Sequence, residues 1–376
     1  EQLADHRQSM NKVINELSTI CPHFGNCSGC VLSNDLTPPV WQHMKNFFHS
    51  LRLSIDLEVG ALTHWRMKAK LPIQGTADHP QIGLFRAGTH EVQPISRCQA
   101  HHPLINSAVS VLEQAIQQEQ TSIYRESTHR GLLRYMQCLT DAKRVQLTLV
   151  AQNKDPSLDR LIRRLIAASN LWHSIWVNIQ PANTNKILGE VWTHAYGEPF
   201  LHLPLGAHHF PFHPAAFTQA HWTLFKKLAN DVSTQIPRGS NLLEVYAGIG
   251  VMGIHCASQC TEVHLFENNP YSHVSFQAMR VPSNVFYHLG DAKEAIYHLS
   301  TSDCILVDPP RKGLDSVLLK ALQAASGKLI YVSCDFSSLM RDAQGLLNAG
   351  WELKEAKGYL LFPGTNHVET VTVFER

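Results

Sequence analysis

Apolar and polar positions follow two rhythms along this chain. In the first part the pattern is mixed. Leu3, Val13, Ile14 and Leu17 form a stripe at helical spacing that predicts a helix over 2–19, and Trp41, Met44, Phe47 and Phe48 predict another over 38–52. The runs WRMKAKLPI and QIGLFRAG are short and strand-like, separated by turn residues between Gly75 and Pro80. Further helices are expected over 103–119 and 157–169, with strands near 132–139, 144–151, 174–179 and 187–195. Read as antiparallel strands with interspersed helices, this is an α+β domain.

From about residue 220 the rhythm becomes strand, helix, strand, helix. NLLEVYAG, EVHLFE, NVFYHLG, CILVDPP and KLIYVSC are short apolar runs, each closed by Gly, Pro or a polar break, and stretches such as 251–258 and 315–325 read as helices between them. That alternation predicts a doubly wound, Rossmann-like α/β sheet. The expected division is an α+β domain over 1–205 and a catalytic α/β domain over 206–376, with the break in Gly206–Pro214.

Composition changes this picture little. The chain is 376 residues, 44% apolar and 17% charged, enough for two ordinary cores. No stretch approaches the roughly 20 uncharged apolar residues of a membrane span, and the N-terminal residues lack the pattern of an export signal. Net charge is +1, which excludes a globally basic nucleic-acid binder, so contact with RNA would have to come from a local patch. The 23 histidines suggest no role by themselves. The nine cysteines are odd in number and three are clustered, which favours metal or catalytic use in a reducing, cytoplasmic-type compartment over a disulfide framework. A monomer is expected.

Three segments carry candidate chemistry. LLEVYAGIG (242–250) is an apolar strand with Glu244 inside it and glycines opening a helix, where backbone can approach a ligand closely. Glu267 ends the next strand, where doubly wound folds bind ribose hydroxyls, and Asp291 ends the third. Gly248, Gly250 and Gly253 also satisfy G-x-G-x-x-G, so these residues alone admit either S-adenosylmethionine (SAM) or a nicotinamide dinucleotide. VDPPRKG (307–313) and YVSCDFSSLMRD (331–342) each follow an apolar strand, placing Asp308 and Cys334 at neighbouring carboxyl ends. The closing stretch puts Glu369 at the start of the last strand. Cys256 and Cys260, four apart on a helix, read as small core residues.

With CPHFGNCSGC (21–30), FTQ (217–219), LEVYAGIG, DPPRKG, VSCD and HVE (367–369) in this order, the chain resembles the RNA (uracil-5-)-methyltransferase family, class I enzymes that make 5-methyluridine in tRNA and rRNA. The resemblance runs from Cys21 to the C-terminus. It implies that Cys334 is the nucleophile adding to uracil C6, that Glu369 is the general base, and that Asp308 supports the reacting centre. It also implies SAM contacts from Gln219, Tyr246, Gly248, Gly250, Val251, Glu267, Asp291 and Asp308. His221 and Asp335 stand where the family usually has Asn. A catalytically silent RNA-binding protein on the same scaffold is the rival reading, disfavoured by the intact Cys334 and Glu369.

Cys21, Cys27 and Cys30 with the distant Cys98 could ligate zinc or a 4Fe–4S cluster by spacing alone, and the resemblance favours the cluster. Only residues 1–20 precede Cys21, so the small RNA-binding barrel that many relatives carry there is not expected. An RNA partner, rRNA or tRNA, would offer an unstacked uridine to the cleft. Arg160, Arg163, Arg164, Arg66, Lys68 and Lys70 are candidate contacts.

Overall fold

A computed structural model describes residues 21–30, 37–182 and 184–376, so the helix expected over 2–19 lies outside the described residues. The chain divides into two compact units. One holds the described part of Glu1–Leu36 with Ala61–Leu201 and Thr218–Trp222, and the other holds Thr37–Gly60, His202–Phe217 and Thr223–Arg376. A single cut at 205/206 is coarser than this division. The physical reason is helix α1 (Pro39–Ser50), whose Trp41, Met44 and Phe48 are buried in one core with Leu243, Ile305 and Leu329 of the second unit.

The first unit is a seven-stranded sheet in the order Val92–Pro94, Pro80–Phe85, Lys68–Gly75, Leu133–Thr140, Val145–Ala151, Trp172–Ile179, Val191–Gly197. The antiparallel expectation fails at one place. Val145–Ala151 and Trp172–Ile179 run parallel, with Gln146 opposite Ser174. Parallel neighbours need a crossover, and the helix Pro156–Ala168 supplies it, burying Leu158, Leu161, Ile162 and Leu165. Asp155 starts that helix by accepting the Ser157 N–H.

In the second unit an eight-stranded sheet is built from β1 (Asp56–Glu58), β2 (Asn241–Val245), β3 (Glu262–Glu267), β4 (Val285–Leu289), β5 (Cys304–Val307), β6 (Lys328–Ser333), β7 (Glu352–Tyr359) and β8 (Glu369–Glu375). Its order is β1-β7-β8-β6-β5-β2-β3-β4. Helices α2 (Trp222–Gln235), α3 (Val251–Cys256), α4 (Pro270–Gln277), α5 (Ser316–Ala324) and α6 (Phe336–Asn348) connect these strands. The five strands β4, β3, β2, β5 and β6 are mutually parallel and almost wholly apolar where central, as a sheet covered on both faces requires.

The chain leaves β2 toward β3 on one side and returns to β5 on the other. The switch point therefore lies at the carboxyl ends of β2 and β5, where open α/β sheets bind ligands. A wholly parallel sheet was expected, but β8 inserts antiparallel between β6 and β7. Because of that reversal, the first residue of β8 arrives at the edge where β6 ends. Thr370 pairs with Ser333, so Glu369 and Cys334 are the next positions outward on adjacent strands.

Candidate active site

β2 places one acid among apolar neighbours: Leu242, Leu243 and Val245 are buried, and so is Glu244. Its Oε2 accepts the Gly253 N–H at 2.8 Å, tying the strand to the first turn of α3. Burial pushes the Glu244 carboxyl up to about 8, helped by the charges of Asp308 and Glu267 and opposed by the Gly253 hydrogen bond. Contact this close requires glycine: a Cβ on Gly253 would lie 2.4 Å from Glu244 Oε2 and 2.6 Å from Leu265 Cδ2. Gly253→Ala should therefore destabilise the protein by about 1–3 kcal/mol despite alanine's better helix propensity. A lowered urea midpoint would report this, and an unchanged one would show that the loop yields freely.

The glycine loop is pinned from both sides. Gly248 donates its N–H to Glu267 Oε2 at 2.9 Å and accepts the Tyr287 hydroxyl at 2.8 Å. Gly250 starts α3 with φ of 84°, a left-handed conformation that glycine adopts without strain. Tyr246 also has positive φ, at 63°, which is costly for a bulky residue and marks a constrained turn. Its hydroxyl accepts the Asp315 N–H at 3.1 Å, linking the glycine loop to the loop after β5. Val251, half-buried, is the first residue of α3.

The loop after β5 is fixed by a buried acid. Asp342 Oδ2 accepts the Leu314 N–H at 2.8 Å and the Tyr331 hydroxyl at 2.9 Å, and Arg341 Nη2 lies 2.7 Å from its Oδ1. Arg341 also donates to the Lys312 carbonyl at 2.8 Å. These contacts set the path of 308–315, whose Arg311 bears electrostatically on Cys334.

Cys334, Asp308 and Glu369 share one electrostatic environment. Burial pushes the half-buried Cys334 thiol up to about 12, with Glu369 and Asp308 adding to the shift and Arg311 opposing it. Asp308 is raised to about 7 by burial and then by Glu267. Glu369 is raised well above the usual carboxylate range by burial and then by Asp308. Glu369 is only 1% exposed, and neither of its carboxylate oxygens has a hydrogen-bond partner. Such an orphaned acid is costly unless it has a task.

The remaining expected residues sit as follows. Asp291 is exposed and caps the 3-10 segment Ala292–Thr301 in a reciprocal box with Glu294, pairing with Lys293 at 3.5 Å. Gln219 belongs to the first unit, buried, with its Oε1 lacking a partner. Asp335 caps α6 by accepting the Ser338 N–H at 2.9 Å, a duty that asparagine performs equally well. In the first unit His221 stacks on Trp65 and bonds to the Ala61 carbonyl at 3.1 Å. Cys256 is buried in the core, whereas Cys260 is half-buried. Asp342, Tyr287 and Arg311 were not singled out from sequence. Asp342 and Arg311 lie inside the quoted motifs, but nothing in those strings announces a buried bond or a local field.

Cys21, Cys27, Cys30 and Cys98 all belong to the first unit. Burial, then Cys21 and Cys27, raise the thiol pKa of Cys98, and burial, then all three, push that of Cys30 up to about 11. Cys27 Sγ accepts the Gly29 N–H at 3.3 Å, and Cys98 accepts from the Ala100 and His101 backbone. The Arg66 guanidinium opposes the rise at Cys30. Of the basic candidates, Lys68 donates to Thr218 Oγ1 at 3.4 Å and burial brings it down to about 7, while Arg164 pairs with Glu119 at 2.9 Å. Among the described residues, no helix is long and apolar enough to cross a membrane.

Comparison with known proteins agrees with this geometry. The tRNA (Uracil-5-)-methyltransferase family profile matches residues 276–376. An RNA methyltransferase of Protochlamydia amoebophila is 35% identical over 96% of this chain and 99% of its own length. Another, from Halalkalibacterium halodurans, is 28% identical over 95% of this chain and 82% of its own. The crystal structure of Pyrococcus abyssi tRNA (uracil-54, C5)-methyltransferase with S-adenosyl-L-homocysteine superposes with a TM-score of 0.76, covering 93% of this chain and 86% of that one. At 23% identity this last likeness speaks for the fold. A match of 35% identity along virtually the whole of both chains goes further: the protein belongs to the RNA (uracil-5-)-methyltransferase family.

Proposed function

We propose that this enzyme methylates C5 of a uridine in tRNA or rRNA through a transient bond between Cys334 and C6 of the ring. The observation that carries the reading is the meeting, on adjacent antiparallel strands, of a thiol with a buried carboxylate that has no hydrogen-bond partner. Uracil C5 is a weak nucleophile until C6 receives an electron pair. The Cys334 thiolate supplies that pair, and C5 gains enolate character. SAM, when bound, supplies the electrophilic methyl that C5 takes. Glu369 then removes the C5 proton, the C5–C6 double bond re-forms, and the thiolate departs. Asp308 lies within the field of both groups and would hold charge at the reacting centre.

The charge of the cleft supports SAM over a dinucleotide. Asp308 and Glu267 bear on Glu244, Glu267 bears on Asp308, and Asp308 bears on Glu369. A pyrophosphate there would meet like charge, whereas a sulfonium would offset the mutual repulsion of these acids. Glu267, Gly248, Gly250, Val251 and Tyr246 would frame the cofactor, with Asp291 at the end of β4 toward its base.

The experiment is calorimetric. SAM should bind more tightly as pH rises from 6 to 8.5, because Asp308 and Glu244 lose protons near 7 and 8. S-adenosylhomocysteine lacks the sulfonium charge, so its affinity should rise less; each fully coupled ionisation is worth up to about tenfold. Equal pH slopes for the two ligands would remove the electrostatic account, and no SAM binding would remove the function.

The four cysteines are proposed to hold a 4Fe–4S cluster. The backbone N–H groups directed at Cys27 and Cys98 suit cluster sulfurs. Anaerobically purified protein should be brown, and Cys30→Ser should bleach it; colourless protein containing zinc would overturn this assignment.

A further inference from the structure

We propose that His264, His288 and His298 form a binding site for a divalent transition-metal ion, zinc foremost, on the β3–β4 edge of the second sheet and apart from the reacting groups. His264 lies in mid-β3, His288 in β4, and His298 in the 3-10 segment that Asp291 caps. One ring nitrogen from each lies within 4.8 Å of the other two, the single such grouping among the described residues.

The geometry is already close to that of a metal site. His264 Nδ1 and His288 Nε2 are 3.0 Å apart. Two imidazoles on a tetrahedral zinc, with Zn–N of about 2.0–2.1 Å, have their nitrogens about 3.3 Å apart, so an ion would replace the shared proton with little movement. On the far side of the His264 ring, Nε2 meets Glu262 Oε2 at 3.3 Å. A carboxylate on the second nitrogen fixes the tautomer that presents the Nδ1 lone pair for ligation, as outer-shell partners of metal-bound histidines do.

Packing holds the rings in place. Phe266 stacks on His288 at 4.4 Å between centroids, and Phe286 on His264 at 5.1 Å. Imidazole ligands suit zinc, copper and nickel rather than magnesium or calcium. Three protein ligands leave a position for solvent. Bound metal would fasten the 3-10 segment, and with it Asp291, to the edge strand.

The test uses full-length protein, purified anaerobically with its cysteine site filled and passed over a chelating resin. Titration with Zn2+ should reveal a site in wild type that His288→Gln and His298→Gln weaken roughly 100-fold and Glu262→Gln about tenfold. Without any substitution, Zn2+ should shield His264, His288 and His298 from carbethoxylation by diethylpyrocarbonate, read by peptide mass spectrometry. Identical titrations in wild type and variants, or undiminished modification of the three rings in saturating Zn2+, would overturn the proposal. Should a variant fail to fold, the protection experiment alone decides.

Discussion

Cys334→Ala should lower methyl transfer by a factor on the order of 10^5 or more, the scale seen when a covalent nucleophile is removed from a site whose parts act as a unit. SAM binding should survive, because Cys334 is not among the residues framing the glycine loop. The reason lies in how poorly the resting site tolerates a thiolate. Burial, Glu369 and Asp308 hold the thiol near 12, and Arg311 and a backbone hydrogen bond only partly oppose them. On the proposed mechanism the thiolate would form when positive charge enters the acidic cleft, not before, which would protect a half-buried cysteine from idle chemistry. RNA carrying 5-fluorouridine offers a direct check. Addition at C6 and methylation can proceed on it, but no C5 proton is present to be removed, so wild-type enzyme should remain attached in a denaturing gel. Cys334→Ala should give no such band. Persistence of the band in the variant, or substantial turnover, would assign the addition to another group.

Much of the second unit was legible because parallel central strands are apolar on both faces and end in Gly, Pro or acidic residues. β2, β3, β5 and β6 fall where NLLEVYAG, EVHLFE, CILVDPP and KLIYVSC place them. The antiparallel insertion of β8 was not legible. β7 reads EAKGY at its end, polar and partly exposed, and nothing in that string distinguishes a strand from a loop. Strand direction is decided by the chain reversal between Tyr359 and Glu369, a tertiary outcome. The parallel pair in the first unit escaped for a similar reason: Val145–Ala151 and Trp172–Ile179 have the same hydrophobic pattern whichever way they run. Residue positions were legible where a motif ends a strand, as with Asp308 and Cys334. Supports that act across the fold were not. Asp342 looks like a solvated acid in SSLMRD, yet it is fully buried and holds the β5 loop. Likewise the three histidines come from separate elements with no shared spacing, so only the folded sheet edge brings them together.

Glu369→Gln should arrest the reaction after methylation and leave enzyme and RNA joined. The glutamine is nearly isosteric and can no longer take a proton, so addition by Cys334 and transfer to C5 continue while elimination stalls. Loss of a general base costs roughly 10^2–10^4 in rate, and here the loss falls on the release step, so adduct accumulates. The substitution should leave the site folded for a specific reason: the native carboxylate already lies buried without a hydrogen-bond partner, and its pKa is raised by burial and Asp308, so a neutral side chain removes a strained charge instead of creating one. The variant should accordingly be at least as stable as wild type above the ordinary carboxylate pKa, where the native protein progressively loses stability as pH rises toward the elevated value of Glu369. Incubation with SAM and RNA from cells lacking the gene should yield a slow-migrating protein–RNA band whose nucleotide carries the new methyl group. A variant that releases 5-methyluridine at the wild-type rate would transfer the base role elsewhere. One that forms neither adduct nor product, yet binds SAM normally, would instead place Glu369 before the bond to C6, as the acceptor of the Cys334 proton.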